Sequence, residues 1–99
     1  MELKNEFKPI IEWADERGLT QNGTIEKQFI KLQEEIGELA IGIMKNNKEE
    51  IIDAIGDCVV VLTILADLNG AKIEDCINSS YNVISKRKGK MIDGIFIKD

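Results

Sequence analysis

Six acidic side chains in two short segments are the residues of this chain whose types and spacing could do chemistry. They are Glu34, Glu35 and Glu38 in the first segment and Glu50, Asp53 and Asp57 in the second. Grouped carboxylates can hold a divalent cation or simply face water. Which role applies depends on the helices that carry these acids and on the sides of those helices that the acids occupy.

The first acidic segment lies in a predicted amphipathic helix with one apolar stripe: Phe29, Leu32, Ile36, Leu39 and Ile43. At about 100° per residue, Glu35 and Glu38 fall on the arc that adjoins the stripe, so that Glu35 borders the core, and Glu34 points farther out. Residues three apart are neighbours on a helix, and two like charges there repel unless a positive charge lies between them. A divalent cation would supply that charge.

The second acidic segment opens another predicted helix, and its three acids share one narrow arc with the apolar residues that follow: Val60, Val61, Ile64 and Leu68. From Cys58 to Ala66 this helix is apolar almost all round, which predicts a central helix or one buried between subunits. Burying an unpaired carboxylate is costly, so Asp53 and Asp57 are expected to protonate, to pair with cations or to bind a metal, and we favour metal binding.

Two simpler interpretations of the acids stay open. Glu50 fits a capping box with Asn47 and gains from the helix dipole, so that it is explained as well by a cap as by a ligand role. The acids could also be solvated surface charges. Against that interpretation, Asp57 lies two or more turns into its helix, where the dipole has faded, and it shares a face with core residues.

A short Asn-rich turn should fold the two helices back as an antiparallel hairpin and bring their acidic faces together. Four oxygen donors would then converge: Glu35, Glu38, Asp53 and Asp57. Such a set suits Mg²⁺ or Mn²⁺, which prefer carboxylates and water. The chain has no histidine, so it cannot build the Glu-x-x-His ligands of a ferritin-like di-iron site.

The elements that must position these acids are predicted to be four helices in a single all-α domain spanning residues 1–99. Caps, glycines and apolar spacing place the first helix from Leu3 to Arg17, with Gly18 after it, and the second from the N-cap Thr24 to Lys45, after a turn-rich stretch at Thr20 to Gly23. The third is expected from Asn47 to Gly70 and the fourth from Ile73 to Lys88. A short extended piece is expected at Gly94 to Lys98. Pro9 requires a helix start or a kink nearby.

Composition and net charge argue against some classes of function, among them binding to nucleic acid and to membranes. With 43% hydrophobic and 31% charged residues the chain should fold, and the net charge of −5 opposes adsorption to nucleic acid or anionic lipid. The longest apolar run is shorter than the ~20 residues of a membrane span. We expect a cytoplasmic protein in which Cys58 and Cys76 are reduced and packed.

The acidic motifs and their surroundings resemble the MazG-like all-α nucleoside triphosphate pyrophosphohydrolases. The resemblance is carried by Glu34-Glu35-Ile36-Gly37-Glu38-Leu39-Ala40, by Glu50 through Asp57, and by the flanking elements Gln28-x-x-Lys31-Leu32 and Asn82 through Lys90. It covers roughly Gln28 to Lys98. EExxE alone would be a weak signal, but its combination with the second acid set and an apolar run is specific.

The resemblance implies a four-helix-bundle-like MazG fold and Mg²⁺-dependent hydrolysis of nucleoside triphosphates to a monophosphate and pyrophosphate, through attack of water on the α-phosphorus. It implies metal ligands at Glu35, Glu38, Asp53 and Asp57, a supporting catalytic role for Glu34, and substrate contacts from Gln28, Lys31, Asn82, Lys86 and Arg87. It also implies a homodimer or homotetramer, as does the need to cover an apolar central helix. The cations from Lys86 onward are nearly as well explained by the dipole of a helix C-terminus. Trp13 and Phe29 could stack on a base, although isolated aromatics at helical spacing are more often core.

One position departs from the family pattern. Many members have Glu three residues before the Asp of the Gly-Asp pair, and Ala54 stands there. Asp53 and Glu50 are the candidates to replace it. Ala54 also supports an alternative, a non-catalytic helical module that binds nucleotides or mediates oligomerisation.

Overall fold

The computed structural model describes residues 1–99 and has five helices and two short strands. In chain order these are α1 (Lys8–Glu16), α2 (Leu19–Asn22), α3 (Ile25–Met44), α4 (Lys48–Leu68), α5 (Ile73–Ile84), β1 (Gly89–Ile92) and β2 (Ile95–Lys98). α4 is the only helix that packs against all four others, and its main partner is α3. The all-α prediction and the prediction of a central helix are confirmed.

Side-chain caps begin the two long helices where the sequence predicts. The Thr24 hydroxyl accepts a hydrogen bond from the Lys27 N–H at 3.2 Å, and the Asn47 side chain accepts one from the Glu50 N–H at 3.1 Å. Each of these caps satisfies a backbone donor that the first turn of a helix leaves unpaired. The cap of α4 therefore also fixes the turn from which its acids project.

The connection between α3 and α4 is short because one motif ends the first helix and starts the second. Asn46 adopts φ 53°, the Asn47 N–H donates to the Gly42 carbonyl and the Asn46 N–H donates to the Ile43 carbonyl. This is a Schellman arrangement with asparagine in the left-handed position. Gly42 is buried at the crossing, where an added Cβ would lie 3.3 Å from the Ile51 nitrogen. The two backbones can approach closely there.

The first predicted helix boundary was wrong at its start. α1 begins at Lys8 instead of Leu3, with Pro9 in its first turn, where a missing N–H costs nothing. The preceding residues are held in a non-helical path by α5, since Asn78 exchanges two hydrogen bonds with the Leu3 backbone and the Phe7 N–H donates to Glu74. These partners lie more than 60 residues away in the chain.

The turn-rich stretch predicted at Thr20 to Gly23 is instead mostly the one-turn helix α2. Gly18, with φ 74°, ends α1 as predicted and also starts α2. The Thr20 hydroxyl donates to Asp15 and ties this turn back to α1. The prediction of a simple turn was therefore wrong.

The last helix is shorter than predicted, because the chain turns into a β-hairpin. α5 ends at Ile84 instead of Lys88, and β1 pairs antiparallel with β2 around Asp93 and Gly94, which both have positive φ. Two such residues in sequence suit a tight hairpin turn. The extended piece predicted at Gly94 to Lys98 is confirmed as β2, but its partner strand was not predicted.

Few side chains of this chain are buried. Only eight of the 99 residues are buried, and large apolar side chains such as Phe29, Ile36, Ile43 and Phe96 are about half exposed. The hairpin packs against no helix. Both cysteines are free, and Cys76 is exposed, so the expectation of two packed thiols was wrong for it. No helix combines the length and the apolar character that a membrane crossing requires.

Replacing Asn47 with Ala should lower the free energy of unfolding by about 1 kcal/mol, because the Glu50 N–H loses its cap. Asn47→Asp should keep most of the stability, since a carboxylate also accepts this hydrogen bond. Urea unfolding followed by circular dichroism in chelator measures the effect. Equal midpoints for the Ala and Asp variants would contradict this role of the cap.

Candidate active site

The packing of α3 on α4 brings three predicted ligands together. One carboxylate oxygen from each of Glu35, Glu38 and Asp57 lies within 4.8 Å of the others. Glu35 is buried, Asp57 is half-buried and Glu38 is exposed. We call these three residues the acidic cluster. The cluster is therefore buried on the side of Glu35 and open to solvent on the side of Glu38.

The buried carboxylate of the acidic cluster is only half satisfied. Glu35 Oε1 lies 3.3 Å from Lys31 Nζ, whereas Glu35 Oε2 is buried and has no hydrogen-bond partner. A buried oxygen of this kind costs free energy unless a cation or donor reaches it. The donor set, all carboxylate oxygens, suits a hard divalent cation. The residues therefore fit Mg²⁺ or Mn²⁺.

Electrostatics within the acidic cluster also favour a cation. Repulsion from the charge of Glu35 raises the pKa of Glu38. Burial raises the pKa of Asp57, and the charges of Asp53 and Glu35 raise it further. Each carboxylate thus makes it harder for the next one to ionise.

Lys31 is the cation that the chain itself supplies. Its ammonium lies 3.3 Å from Glu35 Oε1 and 3.5 Å from Glu34 Oε2, and the hydrogen bond to Glu35 is the main reason that the pKa of Lys31 is raised. Glu34 is exposed and contacts Lys31 instead of the acidic cluster. One ammonium balances only part of the negative charge.

Asp53 lies outside the acidic cluster, on a neighbouring cavity. That cavity, of about 240 Å³, is lined by Glu38, Glu50, Asp53 and the buried Ala54, with Ile41 and Lys45 at its edge. Asp53 and Glu50 thus border the space beside Ala54, the position where the resemblance to the MazG-like enzymes leads us to expect Glu. Three of the four predicted metal ligands converge in this chain, and the fourth adjoins them.

The predicted substrate contacts divide into two groups. Gln28 and Lys31 line a cavity of about 490 Å³ that also contains Glu35 and Asp57. The second group, Asn82, Lys86 and Arg87, is exposed and lines none of the three cavities that reach the acidic cluster. α5 packs against α4 and against no other helix or strand. The structure does not bring the second group to the cluster of its own chain.

Trp13 lies beside the candidate site, whereas the sequence interpretation favoured it as a core residue. It is 42% exposed and lines the 490 Å³ cavity beside Glu35 and Asp57. Its position depends on how α1 packs against α4. No local pattern in the sequence signals that contact.

Comparison with known proteins identifies the family of this chain. The model of the MazG nucleotide pyrophosphohydrolase domain matches residues 24–92, which include both acidic segments. The chain therefore belongs to the MazG nucleotide pyrophosphohydrolase domain family. This family is generally dependent on divalent metal and acts on nucleoside triphosphates.

The curated relatives have no described activity. Over 68 residues, 69% of this chain, the sequence is 50% identical to an uncharacterized 18.2 kDa protein in the rep-hol intergenic region of Haemophilus phage HP1. This match spans 42% of the phage protein. The sequence is also 29% identical to the uncharacterized protein YvdC of Bacillus subtilis, over 88% of this chain and 96% of YvdC. No solved structure matches the chain significantly.

Without a divalent cation, the thermal stability should rise when the pH is lowered from 7 towards 5. The raised pKa values of Asp57 and Glu38 mean that the folded chain binds protons which the unfolded chain has released, so this stabilisation is lost as pH rises through them. Mg²⁺ needs deprotonated carboxylates and should oppose the trend. The dependence of stability on pH is measured from melting temperatures at pH 5, 6 and 7, once with chelator and once with Mg²⁺.

The matched variants for this pH experiment are Asp57→Asn and Asp75→Asn. The first removes a member of the acidic cluster and should flatten the trend in chelator, whereas the second changes an exposed acid on α5 and should leave it unchanged. An unaltered trend in Asp57→Asn would show that the pH dependence arises elsewhere.

Proposed function

We propose that this chain hydrolyses nucleoside or deoxynucleoside triphosphates to a nucleoside monophosphate and pyrophosphate in a Mg²⁺-dependent reaction. The observation that carries the proposal is the convergence of Glu35, Glu38 and Asp57 around a buried oxygen without a partner. Membership of the MazG family gives the reaction class. The reaction adds water oxygen to the α-phosphorus and breaks its bond to the bridging oxygen, which leaves with pyrophosphate.

In this proposal the catalytic residues are Glu34, Glu35, Glu38 and Asp57, and Asp53 joins Glu35, Glu38 and Asp57 as a metal ligand. Bound Mg²⁺, or Mn²⁺, would neutralise phosphate oxygens and lower the pKa of a nearby water. Glu35 is the fixed ligand because it is buried, and Glu38 can adjust because it is exposed. Glu34 holds Lys31 beside the acidic cluster, where the ammonium can contact a phosphate oxygen.

We further propose that residues 1–99 form a single domain that assembles as a homodimer or homotetramer. Exposed apolar residues occur on two separate surfaces, the α3 stripe, which includes Phe29, Ile36 and Ile43, and the hairpin, which includes Phe96 and Ile97. Apolar surface of this extent usually marks an interface. Asn82, Lys86 and Arg87 would then reach substrate bound to a second copy, since they do not approach the acidic cluster of their own chain. The two unpaired cysteines favour a cytoplasmic setting.

Pyrophosphate release from a panel of canonical and modified nucleoside triphosphates tests the reaction. Release should require Mg²⁺, and Asp57→Asn or Glu38→Gln should lower kcat/KM by at least about 100-fold, because each removes a charge that the transition state needs. Asp75→Asn should retain native activity. Native rates in the cluster variants would contradict the proposed site.

The same panel separates the enzyme from the alternative, a non-catalytic nucleotide-binding or oligomerisation module. The observation in favour of the module is that Ala54, where the family resemblance leads us to expect Glu, lines an open cavity. If the native chain releases no pyrophosphate and Ala54→Glu does, the module is the correct interpretation. Activity in the native chain would show that Asp53 and Glu50 suffice.

Sedimentation should give a mass of two or four chains, compared with 11.1 kDa for one. A new charge in an apolar interface is costly, so Ile36→Glu and Ile97→Glu should shift the protein towards the monomer. Gln33→Glu adds the same charge at an exposed polar position of α3 and should leave the assembly intact. A native protein that sediments as one chain at all concentrations would contradict the assembly.

A further inference from the structure

A separate cavity lies towards the C-terminal end of α4, away from the acidic cluster. It has a volume of about 270 Å³ and lies between the residues that precede α1, α1 itself, α4 and the start of α5. Asp67 on its wall follows Asp57 by ten helical residues, which is about 15 Å along α4. None of the residues that line it also lines a cavity that reaches the acidic cluster. The proposed reaction therefore leaves this cavity unused.

Four charged side chains line this cavity, and their charges cancel. They are Lys8, Asp67, Lys72 and Glu74. None of them forms an ion pair, because the ion pairs of the chain include only Lys31 and Lys45 as cations. Lys72 instead donates to two neutral oxygens, the Lys4 carbonyl at 2.7 Å and Asn5 Oδ1 at 2.9 Å. Both signs of charge are therefore available to a ligand in one cavity.

Glu74 is the buried member of this charged set. It is 4% exposed, and its Oε2 accepts a hydrogen bond from the Phe7 N–H at 3.0 Å. Its Oε1 accepts none, but this oxygen is not fully enclosed, since Glu35 Oε2 is the only fully enclosed side-chain atom of the chain that lacks a partner. A carboxylate oxygen in such a buried position is costly without a donor. The free oxygen of Glu74 therefore favours a ligand with a positively charged N–H group.

The opposite preference comes from Lys8 and from the start of α5. Lys8 is exposed and unpaired, and α5 begins at Ile73 without a side-chain cap. The first N–H groups of a helix have no partner within the helix and favour an anion. A carboxylate suits this position better than a phosphate, because Asp67 and Glu74 repel a group that carries more than one negative charge.

The size and the apolar wall of this cavity restrict the ligand further. Its volume of about 270 Å³ is small for a binding cavity, since cavities that hold drug-sized ligands measure roughly 300 to 1,000 Å³. Ile11, Ala71 and Ile73 form its apolar wall. A nucleotide would be too large and too negative, whereas a small molecule with an ammonium group, a carboxylate and an apolar group matches all of the lining.

We propose that this cavity binds a small zwitterion, an α-amino acid with an aliphatic side chain. Its ammonium group contacts Glu74 and Asp67, and its carboxylate contacts Lys8 and the first turn of α5. The aliphatic side chain packs against the apolar wall. This site does not depend on the reaction proposed at the acidic cluster, because the two share no lining residue.

An NMR titration of the ¹⁵N-labelled chain in chelator tests the site directly. L-leucine should shift the amide signals of Lys8, Lys72 and Glu74 with saturation and leave those of Glu35 and Asp57 in place. Isopentylamine lacks the carboxylate of leucine and isocaproate lacks its ammonium group, so each should bind at least about 10-fold more weakly, the loss expected for one charged hydrogen bond. No saturation by L-leucine, L-valine or L-isoleucine up to about 10 mM would overturn the proposal. Equal binding of either analogue would also overturn it.

Two matched pairs of variants locate the ligand. Lys8→Gln and Glu74→Gln should each weaken the binding of L-leucine by about 10-fold or more. Glu74→Gln keeps an oxygen for the Phe7 N–H, and Lys8 is exposed, so both variants should remain folded. Lys4→Gln and Asp75→Asn remove the same charges at neighbouring exposed positions and should bind L-leucine as the native chain does. Native affinity in Lys8→Gln or in Glu74→Gln would overturn the proposal.

Discussion

The close packing of α3 on α4 is the constraint on which the rest of the structure depends. It uses a three-residue connection, an asparagine in a left-handed conformation and the close approach at Gly42, and it places Glu35 against Asp57. Apolar packing alone would not favour this arrangement, because it confines carboxylates that repel each other and leaves Glu35 Oε2 without a partner. The fold stores an electrostatic cost at this contact, which a divalent cation would remove. The helix pair that organises the fold therefore also carries the proposed metal ligands.

The orientation of α3 has a second consequence. Glu35 and Gly42 are its buried residues, so the helix turns its acidic arc, and not its apolar stripe, towards α4. Phe29, Ile36 and Ile43 remain about half exposed as a result. A helix with one face committed to a charged site and another to apolar contact needs partners on both sides. Within this chain only the first partner is present, and the proposed assembly of several copies would supply the second.

Sequence analysis predicted the parts of this structure that local signals determine. Thr24, Asn47 and Gly18 fix helix ends through their own backbone neighbours, and helical spacing was enough to bring Glu35, Glu38 and Asp57 together. The start of α1 was missed because side chains of α5 hold the residues before it. The end of α5 depends on cross-strand pairing in the hairpin, although Asp93-Gly94 is a turn signal that could have predicted it. The position of Trp13 beside the site depends on packing between separate helices, which no local pattern determines.

The balance of charge at the acidic cluster bears on the proposed assembly of several copies. One divalent cation and Lys31 together would balance the three carboxylates of the acidic cluster, so the negative charge of a bound triphosphate would be only partly neutralised there. Further neutralisation must come from another cation or from basic side chains that are not already paired. Glu50 and Asp53 line the cavity beside the acidic cluster, and their carboxylates would suit a second cation. The basic residues that follow α5 suit the other source, but they line none of the cavities that reach the cluster of their own chain. In the proposed assembly the apolar surfaces and the basic segment would serve one requirement, because a second copy would cover the first and bring further positive charge to the bound triphosphate.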